Sequence, residues 1–371
     1  MLLGLNTDQE QLRSVLRSFL GASDPASEPD PRDPVSWQRL ARDLDLVGLA
    51  VPESLGGSGA GLVEVAVVMG EMGRVLYGGP FLSAVLALEA LCHGTDAAAG
   101  PDTAELVRQI VAGEALGTVI GPVLAGASTM RADRSDAGWV GSGQADHVLD
   151  GDVADVFVVL AETPDGPGWF VVDRRVPASV GVEVEDRPSL DPTRPLPTVR
   201  LAGVALRPLS PPGGAAALLD RLLAVGAVVL AAEQVGAAER CLEMAVEHAT
   251  RREQFGRPIG SFQAVKHRCA DMLLAVEAAK WAALHAAWSV QELDADAARV
   301  AGITKAAASD AFTQAAGGLI QVLGGIGYTW EHPAHRYFRR AVASRELFGA
   351  PDVHRARVAA AMLGQDCSWI R

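Results

Sequence analysis

Cysteine is scarce in this chain. There are four in 371 residues, Cys92, Cys241, Cys269 and Cys367, far apart and forming no CxxC pair. That usage offers no redox or metal-binding cysteine motif and reads as a reduced, cytoplasmic pattern. Cys241 and Cys269 fall on apolar helical faces and are expected to be small core residues. Positive charge is short as well: 32 Lys and Arg stand against 45 Asp and Glu, a net charge of −13. Such a balance excludes a nucleic-acid or anionic-membrane surface, which needs a basic face. The N-terminus, Met-Leu-Leu-Gly-Leu-Asn, lacks a basic region followed by a long apolar run, so no signal peptide is expected. The most apolar stretch, residues 222–232, is too short and too closely flanked by charge to span a bilayer. Repeats and low-complexity tails are absent from the sequence.

What is present is enough apolar material, 49% of residues, to bury a large core over two or three domains. Residues 1–115 read as a helical domain. Thr7 is placed to cap a first helix through Leu12, Val15, Leu16 and Phe19, with Glu10 at the capping-box position. A Pro/Asp/Ser loop at 23–34 follows, then helical spacing at Trp37, Leu40 and Leu44 and a glycine-rich turn at 51–61. The segments 62–72 and 82–91 are apolar enough to be buried helices. Pro101 starts a short helix that Gly113 closes. Residues 116–210 change texture. Short β-branched runs at 118–120, 153–160, 169–172, 180–184 and 199–206, separated by Gly, Pro and Asp, predict a small antiparallel β domain. After a Pro/Gly linker at 208–214, residues 211–371 are helical. The spacing predicts helices over 218–250 and 263–293, a third over 295–323 interrupted at Gly317-Gly318, and shorter ones over 332–346 and 351–363. Pattern alone gives an α+β chain with a β insert between helical domains.

The stretch from Arg251 to Asp271 organises the rest. It joins the two longest helices through Gly256, Pro258 and Gly260. Arg252, Gln254 and the backbone amides of the break put donors at one corner. That arrangement suits an anion such as a pyrophosphate, and equally an ordinary helix connection with solvated arginines.

Arg252-x-Gln254-Phe255-Gly256-x-x-Ile259-x-x-x-Gln263 resembles the signature of the acyl-CoA dehydrogenase family. Gln321-Val322-Leu323-Gly324-Gly325-Ile326-Gly327-Tyr328 is similar to that family's second C-terminal signature, and Val51-Pro52-Glu53-x-x-Gly56-Gly57-x-Gly59 agrees with a third segment. The resemblance covers nearly the whole chain. It implies a fold of N-terminal helices, a middle antiparallel β domain and a C-terminal four-helix-bundle-like domain. It also implies FAD as cofactor, an acyl-CoA thioester as substrate and electron-transfer flavoprotein as electron acceptor. Members desaturate the α,β bond: a carboxylate takes the α-proton and the β-hydrogen leaves as hydride to the flavin. The FAD is shared across two subunits. By resemblance, Arg252, Gln254 and Phe255 would meet the pyrophosphate region of a partner's FAD, and Gln321, Gly324 and Gly325 its adenosine end. Leu190-Asp191-Pro192-Thr193-Arg194 resembles the family's late β-domain turn, and is as consistent with a plain polar turn.

The resemblance fails in two places. Counting from Gln321, the family's common base position holds Phe348, and the minority position, counted back from Arg252, holds Gly226. Neither can take a proton. Glu346 and Asp352 are the nearest carboxylates and neither is in register. In the β domain, the segment that should grip the flavin ring is Gly121-Pro122-Val123-Leu124-Ala125-Gly126-Ala127-Ser128. The strand that should set a Trp and a Thr against it is Val148-Leu149-Asp150-Gly151-Asp152-Val153-Ala154-Asp155. Only Ser128 or Ser142 could still donate there. The half of the FAD site offered to a neighbour is thus complete, and the half a subunit uses itself is not. This fits the accessory chain of bacterial α2β2 heterotetramers, some of which take steroid side-chain thioesters. Two alternatives stand beside it: a self-sufficient homomeric enzyme with a relocated base, and a flavin-free assembly protein of the same fold.

Overall fold

In a computed structural model the described residues are 4–21, 37–94, 101–121, 128–136 and 138–363. The chain divides into two compact units. The first comprises Met1–Pro29, Leu62–Tyr77 and Ala227–Arg371, the second Asp30–Gly61 and Gly78–Gly226.

The first unit is helical. Helix α1 (Thr7–Leu20) is capped by Asn6 rather than Thr7: Asn6 Oδ1 accepts from the Gln9 amide at 2.9 Å, and Gln9 Oε1 accepts from the Asn6 amide at 2.9 Å. The expected capping box exists one residue earlier, because Asn6 keeps extended backbone while Thr7 is already helical. Helix α2 (Leu62–Arg74) crosses the long helix α5 (Ala216–Arg251) at backbone contact. A Cβ on Gly236 would lie 1.8 Å from the Gly70 carbonyl oxygen, and one on Gly73 would lie 2.0 Å from that of Glu233. Glycine is what lets the two helices meet there. The remaining helices are α6 (Gln263–Gln291), α7 (Ala297–Leu323), α8 (Ala334–Glu346) and α9 (Pro351–Met362). Ala238, Cys241 and Ala245 of α5 pack with Met272 and Val276 of α6, Phe312 and Leu319 of α7 and Tyr337 of α8. Cys241 is fully buried and Cys269 half-buried against the same core, while Cys367 lies outside the described residues. The expected interruption at Gly317-Gly318 does not occur. Helix α7 runs through it, and a Cβ on Gly318 would come within 2.6 Å of Met272 Sδ. Glycine here serves close packing and does not end the helix.

The second unit begins with a π-helical turn at Arg39–Asp43 and a glycine-rich turn holding a 3-10 segment at Glu53–Leu55, followed by α3 (Phe81–His93) and α4 (Pro101–Val111). Then come seven strands: β1 (Gly117–Ile120), β2 (Arg131–Ser135), β3 (Gly138–Ala145), β4 (Val156–Ala161), β5 (Gly168–Asp173), β6 (Val182–Glu185) and β7 (Thr198–Pro208). Their order is β1-β4-β5-β7-β3-β2, with β6 also on β7. Every pair is antiparallel as expected except β1–β4, which is parallel, Gly117 facing Val156. Strands β2 and β3 were absent from the apolar pattern, because β2 is Arg-Ala-Asp-Arg-Ser and β3 is glycine-rich. Ring packing of Trp139 on Phe170, 5.3 Å between centroids, closes the sheet core with Phe157, Val159 and Leu201. In the late turn, Asp191 Oδ1 accepts from the Thr193 amide at 3.0 Å and from its hydroxyl at 2.6 Å.

The most apolar helical stretches are covered within the chain: Leu222, Val225 and Val228 of α5 and Ala308, Phe312 and Leu319 of α7 are buried. An apolar ridge is left exposed on α6, where Leu274, Trp281 and Trp288 stand seven residues apart, 74%, 46% and 41% exposed. Two turns of helix put all three on one ridge. The protein is therefore expected to sediment as an oligomer, alone or with a partner. A monomer at micromolar concentration would count against this, and Trp281→Glu should shift an oligomer towards smaller species.

Candidate functional site

Helix α5 ends at Arg251, and a two-residue β-hairpin follows: β8 (Glu253–Gln254) pairs β9 (Arg257–Pro258). The Ile259 amide closes it on the Arg252 carbonyl at 2.8 Å. The turn residues Phe255 and Gly256 have φ of 54° and 75°, the pattern of a tight primed turn. Positive φ is unfavourable for a bulky residue, and Phe255 takes it while 92% exposed. Its ring leans edge-on against Phe262 at 6.1 Å, and Arg257 lies over Phe262 at 4.1 Å. Gln254 is exposed, its Nε2 donating to the Glu253 carbonyl at 2.8 Å. Arg252 is exposed, and no carboxylate of the described residues pairs with it.

The second motif closes α7. Gln321 is exposed and its Nε2 donates to Tyr328 Oη at 2.8 Å. Gly324 takes φ 64° and ψ −135°, a conformation open essentially to glycine, and so stops the helix. The glycines divide by role. A Cβ on Gly324 or Gly325 would meet nothing within 4 Å, so a ligand can approach the backbone, whereas one on Gly327 would strike the Ile320 carbonyl at 2.7 Å. Gly327 is a packing glycine. Ile259, Val265 and Cys269 beside the hairpin and Ile320, Val322 and Leu323 before the glycines belong to one core, so the motifs share one end of the helical unit. Electrostatics agree. The His248 pKa is lowered by burial and then by Arg252, and that of His332 by burial, then by His248 and His335. Arg252, His248 and His332 thus converge, one arginine beside two imidazoles that burial and the neighbouring groups keep from protonating. Sequence reading missed both histidines, which belong to neither motif.

This corner fits the pyrophosphate and adenosine end of FAD: an exposed arginine, an exposed amide side chain and backbone open at two glycines. Among the described residues the other half does not fit. Val148, Leu149 and Asp150 are all buried. The Leu149 carbonyl accepts from Thr118 Oγ1 at 2.6 Å, and Asp150 Oδ2 from Ser83 Oγ at 2.6 Å. These residues tie α3 and β1 to the turn and present nothing to a flavin ring. Ser128 Oγ accepts from the Met130 amide at 3.4 Å, and Ser142 is an exposed residue of β3. Residues 122–127 lie outside the described residues. At the base position Phe348 is buried, 3% exposed, with φ 57°. Gly226 is buried inside α5, while Glu346 and Asp352 are exposed.

Family models for the acyl-CoA dehydrogenase N-terminal domain and C-terminal domain match residues 6–101 and 213–363. The chain is 37% identical over 316 residues to acyl-CoA dehydrogenase IpdE2 of Mycobacterium tuberculosis, covering 85% of this chain and 82% of that protein. Among solved structures it is similar to the ChsE4-ChsE5 complex of Mycobacterium tuberculosis, with TM-score 0.86 and 28% identity over 99% of this chain and 100% of the other. It is also similar to a Tcur3481-Tcur3483 steroid ACAD variant, with TM-score 0.83 and 28% identity over 96% and 98%. No helix among the described residues is long and apolar enough to cross a membrane. With both signatures at one corner, helices flanking a β region, and relatives matched over most of their length, the chain belongs to the acyl-CoA dehydrogenase family.

Proposed function

We propose that this chain is the accessory subunit of a heteromeric, FAD-dependent acyl-CoA dehydrogenase, completing the FAD site of a related catalytic chain. The observation that carries the reading is the contrast between an open corner with an exposed arginine at Arg252 and open backbone at Gly324 and a buried phenyl ring at the base position. The bound flavin supplies the hydride acceptor; this chain's part is to hold the cofactor's polar end. Arg252 would meet the pyrophosphate, with Gln254 and Phe255 near it. Gln321, held by Tyr328, and the open backbone at Gly324 and Gly325 would meet the adenosine. On this reading the domains run 1–115, 116–210 and 211–371, the last carrying both contacts. The two-chain structural relatives support a related partner, and the steroid relative supports a bulky acyl group. Electron-transfer flavoprotein would be the acceptor, and the cytoplasm the compartment.

The test is flavin content. The chain expressed alone is expected to purify without FAD, and the co-expressed complex with it. Arg252→Ala should weaken FAD retention in the complex by roughly 10- to 150-fold, the equivalent of a charge-assisted contact of about 1.5–3 kcal/mol. Unaltered folding of the variant is read from its circular dichroism. Wild-type flavin content in the Arg252→Ala complex would make Arg252 structural and remove the site assignment. A complex that never carries flavin would favour the assembly-protein alternative.

A further inference from the structure

Lys305 lies on α7 with none of its surface reaching solvent. Its Nζ donates to Ser309 Oγ at 2.8 Å and to the Arg345 carbonyl, in the last turn of α8, at 3.2 Å. Ser309 Oγ donates onward to Gln234 Oε1 at 3.1 Å, and Gln234 Nε2 to Ser344 Oγ at 3.0 Å. One buried amine thus anchors a polar chain joining α7, α5 and the end of α8. Among the described residues it makes no ion pair. Burial lowers its pKa to about 7; Glu346 and Asp310 pull it up and Arg345 holds it down. The remaining charges around it are accounted for. Asp310 is held by Arg345 at 2.6 Å and by Arg355. On α5, Glu233 beside Gln234 is paired with Arg340 of α8. Helix α6 meets this part of α7 where Thr304 Oγ1 donates to the Ala282 carbonyl, and carries Lys280 and His285 in the adjoining turns. On α9, His354 is held to about 4 by burial and then by Lys305.

The amine holds the Arg345 carbonyl two residues before the turn Leu347–Gly349, between α8 and α9, and its charge acts on His354, whose ring holds that turn. Phe348 and Gly349 take φ of 57° and 96° there. The Phe348 carbonyl accepts from His354 Nε2 at 3.0 Å. The same imidazole would meet a Cβ on Gly302, one turn before Lys305, at 3.0 Å and one on Gly349 at 3.1 Å. The turn, α9 and α7 are therefore packed on one another around a backbone conformation that costs free energy for phenylalanine. Leu347 and Phe348 are each 3% exposed, so the turn hydrates only by opening, and local opening of such a segment need not wait for global unfolding.

We infer that the Leu347–Gly349 turn is a proton-gated flap whose latch is Lys305: opening hydrates the amine, which takes a proton from solvent, so acid favours the open form and alkali the closed one. The sign follows from linkage. In the open form the amine titrates near its ordinary value of 10.5, and in the closed form near 7. Between those values the open form binds one more proton, so each unit of pH lowers the opening equilibrium tenfold. Below about 7 the amine is protonated in both forms and its contribution is flat. His354 adds a separate step between about 4 and 6.5, outside that window. None of this depends on the chain's role in a complex.

Hydrogen exchange at amides 346–350 of the full chain, corrected for intrinsic exchange, tests it between pH 6 and 10. Protection is expected to be flat to about pH 7 and then to rise tenfold per unit. In Lys305→Met, neutral at every pH, the rise should vanish. A flat wild-type profile, or an unchanged slope in Lys305→Met, overturns the proposal. Should that variant fail to fold, a carbon-13 titration of the Lys305 side chain in the wild type decides. A midpoint below about 8.5 supports the latch and one above it overturns it.

Discussion

Acyl-CoA desaturation is expected from the co-purified complex and not from this chain alone, even with added FAD. Removing an α-proton needs a carboxylate within hydrogen-bond reach, and the base position here is a buried phenylalanine. Glu346 and Asp352 are exposed and lie out of register with the base position, so neither is set in a dry pocket against a thioester. Loss of general-base catalysis typically costs about 10²- to 10⁴-fold. Changing the partner's catalytic Glu to Gln should therefore remove activity from the complex on that scale, with flavin still bound. The deciding comparison uses a panel of acyl-CoAs in both arms. Turnover by this chain alone, lost in Glu346→Gln or Asp352→Asn, would replace the accessory reading with the homomeric one. If the partner's Glu→Gln complex keeps wild-type turnover, the base lies elsewhere and the division of labour is wrong.

The other large effect is on stability. Arg340 and Glu233 form an ion pair with NH1 2.6 Å from Oε1 and side chains 0% and 3% exposed. Breaking such a pair from one side strips a buried charge of its ion-pair partner, and Arg340→Met is expected to cost about 3–5 kcal/mol. The backbone around it cannot relax easily, because Gly73 packs directly on the Glu233 carbonyl. The double variant Glu233→Met with Arg340→Met should recover most of the loss, since burying two apolar side chains incurs no charge penalty. Urea unfolding at matched protein concentration reads both. An Arg340→Met variant within 1 kcal/mol of wild type would mean that water reaches the pair.

Much of the architecture was legible from residue order. The long helices, the β insert and their approximate limits follow from apolar spacing and from Pro and Gly punctuation, which are local properties. Misreadings came where a residue answered to a distant neighbour. Gly317 and Gly318 look like a helix break in the sequence, yet Gly318 is small because Met272 of another helix fills the space. Strands β2 and β3 carry no apolar signal, because their pairing partners and not their composition make them strands. Asn6 takes the cap that Thr7 could equally have supplied.

The sequence by itself determined the family, through motifs whose spacing survives without coordinates, and the absence of a carboxylate at 226 and 348, which is a matter of identity alone. Only the tertiary structure decided which glycines are open to a ligand and which are packed, since that depends on atoms far along the chain. It alone brought His248 and His332 to Arg252, and turned Val148–Asp150 inward. Lys305 is the clearest case. In the sequence it is one lysine in an alanine-rich helix, where solvent is the ordinary expectation. Its burial against Ser309 and the Arg345 carbonyl arises because three helices meet over it, and desolvation by those helices gives its amine a proton affinity that no local pattern encodes.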